Sequence, residues 1–370
     1  LSTEVTSSKL DSHRCEWHRD RIEALLSGEH VAPITIDCAL SKNCSYNCCY
    51  CYAANQRNDV EDLTRDEIIS FLDDAVYVGV KGISFVSDGE STCNPNLYEA
   101  ITYGKRCGID MALGTNGYLL DDDRLEEILP SLTYIRFNIS ATGSRYSYIH
   151  GCDEDCYYKV VDTIKKCVSI KRRDNLSVVI GMQMVLIPKY VDDIWELINL
   201  GKSIGVNYVI AKHCSDNERG DIGIDYEEYN TILPKLRIAE SMSTYETQVA
   251  IKWSKIERGS KRKYSKCYGA PLLLQFSGNG LIAPCGSFFS KEYSKYHISS
   301  LHESRFKDII NSKRYWDVMN FIKSDEFDAR HMCATLCLQD NVNNFLWDIV
   351  NGEAEFKGTT GNPPYNVNFL

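Results

Sequence analysis

No apolar run in this 370-residue chain approaches the roughly 20 residues that a membrane-crossing helix needs, so a helical membrane protein is excluded. The N-terminal stretch LSTEVTSSKLDSHRCEWHRD lacks the apolar segment of a secretory signal, and a cytoplasmic protein is expected. Proline is scarce, at 9 residues, and no low-complexity tract occurs, which argues against a linker-rich or disordered chain. Positive charge is also short: 41 Lys and Arg stand against 51 Asp and Glu, for a formal charge of −10. The molecule as a whole repels polyanions, so nucleic acid is not an expected partner. The most basic stretch, Lys261, Arg262 and Lys263, reads as solvated surface.

Cysteine is present in excess, with 16 residues. Cytosolic thiols stay reduced, and secreted disulfide scaffolds are usually small, whereas this chain is 44% apolar and can bury a core. Metal ligation is the leading explanation for the thiols.

From Pro33 onward, short β-branched runs alternate with stretches of helical period, the mark of βα units. Candidate strands cover 34–38, 82–86, 109–113, 134–139, 178–185 and 208–211. Thr64 and Glu67 form a capping box ahead of the apolar positions Ile68, Ile69, Phe71 and Leu72. Right-handed crossovers make such a sheet parallel, and six units are too few for a closed eight-stranded barrel, so an open or partial α/β barrel is expected. Reactive groups then belong in the loops after the strands. The alternation stops beyond about residue 220, where a helical stretch is expected. It leads into PLLLQF and LIAPC, which flank Ser277, Gly278, Asn279 and Gly280 as a β-hairpin with a glycine turn. A helix is expected around 306–322.

The first strand runs into KNCSYNCCYCYAAN, where Cys44, Cys48 and Cys51 make a CxxxCxxC pattern in one loop. Zinc would want a fourth nitrogen or sulfur ligand; an iron–sulfur cubane with one open iron is satisfied by three thiolates. The spacing, the aromatic Tyr50 before the last cysteine and the position after strand one resemble radical SAM enzymes. That resemblance implies a [4Fe–4S] cluster on Cys44, Cys48 and Cys51 and S-adenosylmethionine on its open iron. It also implies reductive cleavage to a 5′-deoxyadenosyl radical that abstracts hydrogen from an unactivated C–H bond. Cys49 and Cys38 match no ligand position.

Further positions follow the resemblance. Ser87, Asp88, Gly89 and Glu90 stand after strand two, where the family has Gly-Gly-Glu at the methionyl amino group, and Asp88 replaces the first glycine. After strand three, Gly114, Thr115, Asn116 and Gly117 resemble the family's TNG turn; after strand four, Asn138 and Ser140 stand where relatives contact ribose and carboxylate. All of these except Gly114 and Gly117 are candidate SAM-binding residues. The likeness covers roughly residues 33 to 212.

A second set, Cys267, Cys285, Cys333 and Cys337, brackets the hairpin and closes with a CxxxC pair. With Gly280 it resembles the SPASM or shorter twitch extension, and the cysteine count allows one auxiliary [4Fe–4S] cluster. A four-cysteine zinc site is the alternative. The expected organisation is an N-terminal extension over 1–32, a partial (βα)6 radical SAM barrel over 33–220 and a helical linker over 221–265. A small α+β cluster domain over 266–340 and a tail over 341–370 follow.

The expected activity is oxidation or epimerisation, with a flavodoxin- or ferredoxin-type electron donor implied by the family. Cys214, beyond strand six in AKHCSDN, is the candidate hydrogen donor, with Cys152 and Cys156 behind it. Only 32 residues precede Pro33, too few for a peptide-recognition domain of the kind found in peptide-modifying relatives. A small polar substrate, sugar or aminocyclitol-like, is therefore expected. A ribosomally made peptide is the second expectation, and a non-catalytic zinc or iron–sulfur scaffold the third. A tRNA-modifying enzyme would need a basic surface, and cobalamin chemistry a corrinoid domain; neither is visible.

Overall fold

The computed structural model describes residues 10, 12–53, 61–216, 220–258, 261–334 and 337–370. The end of the first cysteine loop, 54–60, and parts of the expected extension (1–9 and 11) and linker (259–260) lie outside them.

Strands β1 (Thr35–Cys38), β2 (Gly82–Phe85), β3 (Asp110–Thr115), β4 (Leu132–Asn138), β5 (Val179–Leu186) and β6 (Tyr208–His213) fall within a few residues of the expected runs. Strand β5 is buried along almost its whole length. That continuous burial is what a strand covered on both faces requires. Helix α1 (Arg19–Leu26) precedes β1, and the crossovers carry α2 (Arg65–Val78), α3 (Leu97–Arg106), α4 (Gly143–His150), α5 (Glu154–Arg173) and α6 (Asp193–Ile204). Helix α2 opens on the expected capping box and stops at Gly79, whose φ of +92° suits glycine. Its buried face, Ile68, Phe71, Leu72 and Ala75, packs inward.

Two parallel strands exceed the six expected. After α7 (Glu228–Ser241), β7 (Gln248–Ile251) pairs with β6 inside the stretch read as a helical linker. Four residues give a period-two pattern too little length to stand out. The hairpin strands β8 (Leu273–Phe276) and β9 (Leu281–Ala283) form as expected. Beyond the hairpin, β8 also runs parallel to β1 on the side away from β2, and β10 (Ser299–Ser300) caps β9. The ten strands make one sheet in the order β10-β9-β8-β1-β2-β3-β4-β5-β6-β7. The cysteine-bearing hairpin is therefore continuous with the barrel wall, and Phe71 of α2 packs edge-on against Phe276 and Phe306 at 5.0 and 5.3 Å between ring centres. Helices α8 (Lys313–Phe321) and α9 (Asp340–Val350) complete the C-terminal part.

The sheet curls. Laid flat, β1 and β4 would stand about 14 Å apart, yet Asp37 of β1 and Arg136 of β4 interact electrostatically. At the strands' N-terminal ends the C-terminal residues close the interior. Tyr365 packs with Val179, Tyr208, Ile210 and Ala250, and the Phe369 ring meets Tyr134 at 5.0 Å. Thr35 Oγ1 donates to the Asn368 carbonyl at 2.8 Å, and Arg14 Nε to Asn366 Oδ1 at 3.0 Å. With that end plugged, access is left at the C-terminal ends.

Candidate functional site

The loop after β1 is positioned before its first cysteine. The backbone of Ser41 and Lys42 passes between two glycines from distant segments: a Cβ on Gly89 would lie 2.2 Å from Ser41 O, and one on Gly278 would lie 2.3 Å from Ser41 C. Asp88 joins these glycines. Its buried carboxylate accepts hydrogen bonds from Ser277 Oγ at 2.7 Å and Gly278 N at 3.0 Å, and pairs with Lys42 Nζ at 3.3 Å. Asp88 was expected among the SAM contacts; in the structure its carboxylate clasps the hairpin, where three partners of complementary polarity meet it.

Glu90 plays a similar part for the turn after β3. Its carboxylate accepts from Thr92 N at 3.1 Å, Thr115 Oγ1 at 2.9 Å and Asn116 N at 2.8 Å. Burial raises its pKa, against the pull of these hydrogen bonds. Asn116 is thereby aimed: its Oδ1 accepts from Tyr118 N at 2.9 Å, and its Nδ2 faces Cys44 Sγ at 3.7 Å and Ser45 Oγ at 3.1 Å. Tyr46 N also points at Cys44 Sγ, at 3.5 Å. Ser87 sits at the same mouth, half-buried, at the head of this loop.

On the opposite side, the cysteine loop hangs from the end of α4 by Asn47 N to His150 O and Cys49 N to Ile149 O, both 3.0 Å. His150, which no sequence motif marks, is fully buried with Nδ1 3.2 Å from Cys48 Sγ and Nε2 accepting from Ser140 N at 3.1 Å. Burial pushes its pKa down to about 3. Tyr50 OH accepts from Asn138 Nδ2 at 2.9 Å and shares a hydrogen bond with Ser140 Oγ at 3.0 Å. Two hydrogen-bonded networks thus flank the cysteine loop, one through Glu90, Thr115, Asn116 and Cys44, the other through Cys48, His150, Ser140, Tyr50 and Asn138.

The thiols of Cys44, Cys48 and Cys51 lie near enough to act on one another. Cys44 is exposed at its surface, yet desolvation of its sulfur raises the thiol, with Glu90 and Cys51 adding to it, and burial raises Cys48 well above the usual thiol range. All sixteen cysteines are free of disulfides. Among the described residues, no three His, Cys, Asp or Glu side chains close on a point that a single ion could occupy.

The second set also converges. Cys267, Cys285, Cys333 and Cys337 line one cavity together with Tyr264 and Asn343. Asn343 on α9 is fully buried; its Oδ1 accepts from Tyr268 N at 2.9 Å and Gly269 N at 2.8 Å, which leaves Nδ2 facing Cys267 Sγ at 3.5 Å and Cys337 Sγ at 3.7 Å. Gly280 lies outside the cavity, in the hairpin turn, with φ +78°.

Cys214 lies buried behind the cysteine loop, in the cluster against which Cys48 and Cys49 pack. It is fully buried in an apolar layer with Tyr50, Ala141, Ile149, Val185 and Ile187, its Sγ accepts from Asp216 N at 3.3 Å, and burial pushes the thiol up to about 12. A hydrogen donor needs access to its substrate, and this thiol has none in the structure. Sequence reading also passed over Asp37, Arg136 and Gln183 inside the curl. Asp37, Arg136, Gln183 and Lys212 occupy the partly solvated positions of otherwise buried strands. Burial carries Asp37 up to about 7, against Arg136, and takes Lys212 down to about 7, assisted by Lys255, Arg136 and Lys252. The signal was available: a charge in the middle of a run such as TIDC or YIRFN contradicts a buried apolar strand.

Known proteins resemble parts of this chain. Residues 39–201 match the family model of the radical SAM superfamily. The AdoMet-dependent heme synthase of Methanosarcina barkeri is 34% identical over 98 residues, 26% of this chain and 28% of that protein. The probable GTP 3',8-cyclase of Pyrococcus abyssi is 28% identical over 177 residues, 46% of this chain and 54% of that protein. The chain thus spans about half, or less, of the length of these curated relatives. Streptococcus suis SuiB bound to precursor peptide SuiA superposes with a TM-score of 0.62 at 16% identity, over 96% of this chain and 80% of that one. Native anSMEcpe with bound AdoMet superposes with a TM-score of 0.60 at 14% identity, over 86% and 100%. At these identities the structural likeness concerns the fold. Among the described residues no helix is long and apolar enough to cross a membrane.

Proposed function

The chain carries a radical SAM domain over residues 39–201, a unit that binds S-adenosylmethionine and a [4Fe–4S] cluster, and from that premise we propose an enzyme that oxidises a small polyhydroxylated or amino-substituted substrate. Cys44, Cys48 and Cys51 hold the cluster in this reading, and Asn116, Asn138, Ser140 and the backbone around Ser87 and Gly89 surround SAM. Cys267, Cys285, Cys333 and Cys337 hold one auxiliary [4Fe–4S] cluster. When bound, these groups supply one-electron reductive cleavage of the sulfonium, hydrogen abstraction from an unactivated C–H bond and an acceptor for the second electron.

The residues present fit these groups. Among the described residues the buried Oδ1 of Asn138 has no hydrogen-bond partner, so a donor is missing where a ribose hydroxyl would supply one. Backbone and side-chain N–H groups already point at Cys44, Cys267 and Cys337, an arrangement that favours ligated thiolate.

The substrate reading rests on the barrel interior. Asp37, Arg136, Gln183 and Lys212 present both charges and a neutral amide inside the curl, able to orient hydroxyl and amino groups from below. Lys212 Nζ, with its pKa near 7, can carry the proton that an alcohol or amine sheds as it is oxidised. To test this, protein reduced with dithionite in the presence of SAM is offered polyols and aminocyclitols deuterated at carbon, and separately short peptides. Deuterium in 5′-deoxyadenosine from the small molecules is expected; transfer from peptides alone overturns the small-molecule reading. The peptide reading is supported by the fold shared with SuiB in its complex with precursor peptide SuiA and by Tyr148, 67% exposed beside Tyr190 on α4's outer face.

Burial of Lys212 has its own measurable consequence. Below about pH 7 the ammonium is charged in both the folded and the unfolded chain, and its desolvation counts in full. Between about 7 and its ordinary 10.5 the unfolded chain binds more protons, so the penalty shrinks as pH rises. Lys212→Met is therefore expected to raise the urea midpoint most at pH 6, with the gain shrinking steadily toward pH 9. A gain independent of pH would mean that Nζ is solvated.

A further inference from the structure

We propose that His150 raises the reduction potential of the cluster on the first cysteine motif by donating an Nδ1–H···S hydrogen bond to Cys48. The inference rests on the assignment of Cys48 as a cluster ligand and goes beyond it. Its basis is the proton inventory of one buried ring. A backbone N–H can only donate, and Ser140 N lies 3.1 Å from Nε2, so Nε2 presents its lone pair. A neutral imidazole carries its proton on the other nitrogen, and that nitrogen stands 3.2 Å from Cys48 Sγ. A ring protonated on both nitrogens would set two N–H groups against each other at Ser140.

The ring is held in this pose from several directions. His150 ends α4, and Gly151 follows at φ +59°, where a Cβ would lie 2.4 Å from Asn47 O in the cysteine loop. Its carbonyl accepts from Asn47 N, and the rings of Tyr146, Tyr46 and Tyr50 surround the imidazole at 4.3, 5.8 and 6.1 Å between centres. With no solvent exposure, the N–H has Cys48 sulfur as its partner. Donation to a ligating sulfur draws electron density from it and stabilises the more negative, reduced cluster. His150 is a positioning residue in this account, since it acts through Cys48.

The test is a redox titration of the anaerobically reconstituted protein, followed by electron paramagnetic resonance. At a potential where the wild-type cluster is mostly oxidised, His150→Phe is expected to hold about tenfold less reduced cluster, a downward shift of about 59 mV for one electron. His150→Asn, whose amide N–H reaches toward the Nδ1 position, is expected to restore most of it. If His150→Phe does not fold, wild-type protein labelled with 15N-histidine decides the matter: a 15N coupling is expected in the reduced-cluster signal, and its absence overturns the inference. A full cluster with an unchanged potential in His150→Phe overturns it too. Wild-type protein without iron on the first motif overturns the ligand assignment as well, so the two failures are distinguishable.

Discussion

Alanine at Cys44, Cys48 or Cys51 is expected to bring 5′-deoxyadenosine formation from SAM and dithionite down to background, whereas alanine at Cys333 or Cys337 is expected to spare uncoupled cleavage and stop product formation. The asymmetry follows from the two constellations. The first set shares one loop flanked by Asn116, Asn138 and Ser140, so with the proposed assignment the loss of one of three thiolates removes the cluster that would hold SAM. The second set lines its own cavity, reached from the hairpin and from the segment before α9, and its loss leaves the first loop intact. Iron and sulfide analysis accompanies the assay: about eight irons per chain are expected for the wild type and about four for either class of variant. Four irons with one zinc in the wild type would make the C-terminal site structural, and loss of cleavage from both classes would mean that the second site holds the fold together.

Removing the Asp88 carboxylate should cost the fold heavily. Asp88 is fully buried, Lys42 nearly so, and the carboxylate also satisfies Ser277 Oγ and Gly278 N. Deleting one member of a buried pair leaves the other charge uncompensated, a loss of about 3–5 kcal/mol. Asp88→Ala is expected to lower the unfolding free energy of the apoprotein by that amount in urea, and Asp88→Asn by less, since its amide oxygen still accepts from Gly278 N. A loss below about 1 kcal/mol for Asp88→Ala would mean that water replaces the carboxylate. The effect should reach the cluster loop: with the clasp open, Ser41 and Lys42 are no longer pinned between Gly89 and Gly278, and iron retention should fall in parallel.

Most of the architecture was legible because it is written in local patterns. Six strands declared themselves as short β-branched runs, the hairpin by its glycine turn and α2 by its capping box, and the structure carries all of them. The first cysteine set could be grouped from spacing alone, since three thiols in one loop stay together however the rest folds; the second was grouped through its resemblance to the SPASM or twitch extension. Strand β7 escaped because four residues carry little period, and β8 read as half of a hairpin because nothing in PLLLQF states that its other edge meets β1.

The sequence by itself therefore determined the radical SAM domain, the order of its βα units and the three thiols of the first loop, all properties of residues close along the chain. The tertiary structure alone decided which polar groups meet across it. Asp88 reaches Gly278 over 190 positions and His150 reaches Cys48 over 102; Asp37, Arg136 and Lys212 share an interior only because the sheet curls; and Tyr365 and Phe369 close its far end. Such pairings leave no periodic trace, because a hydrogen bond or an ion pair depends on where two side chains arrive in space, and that is settled only when the whole sheet has closed around them.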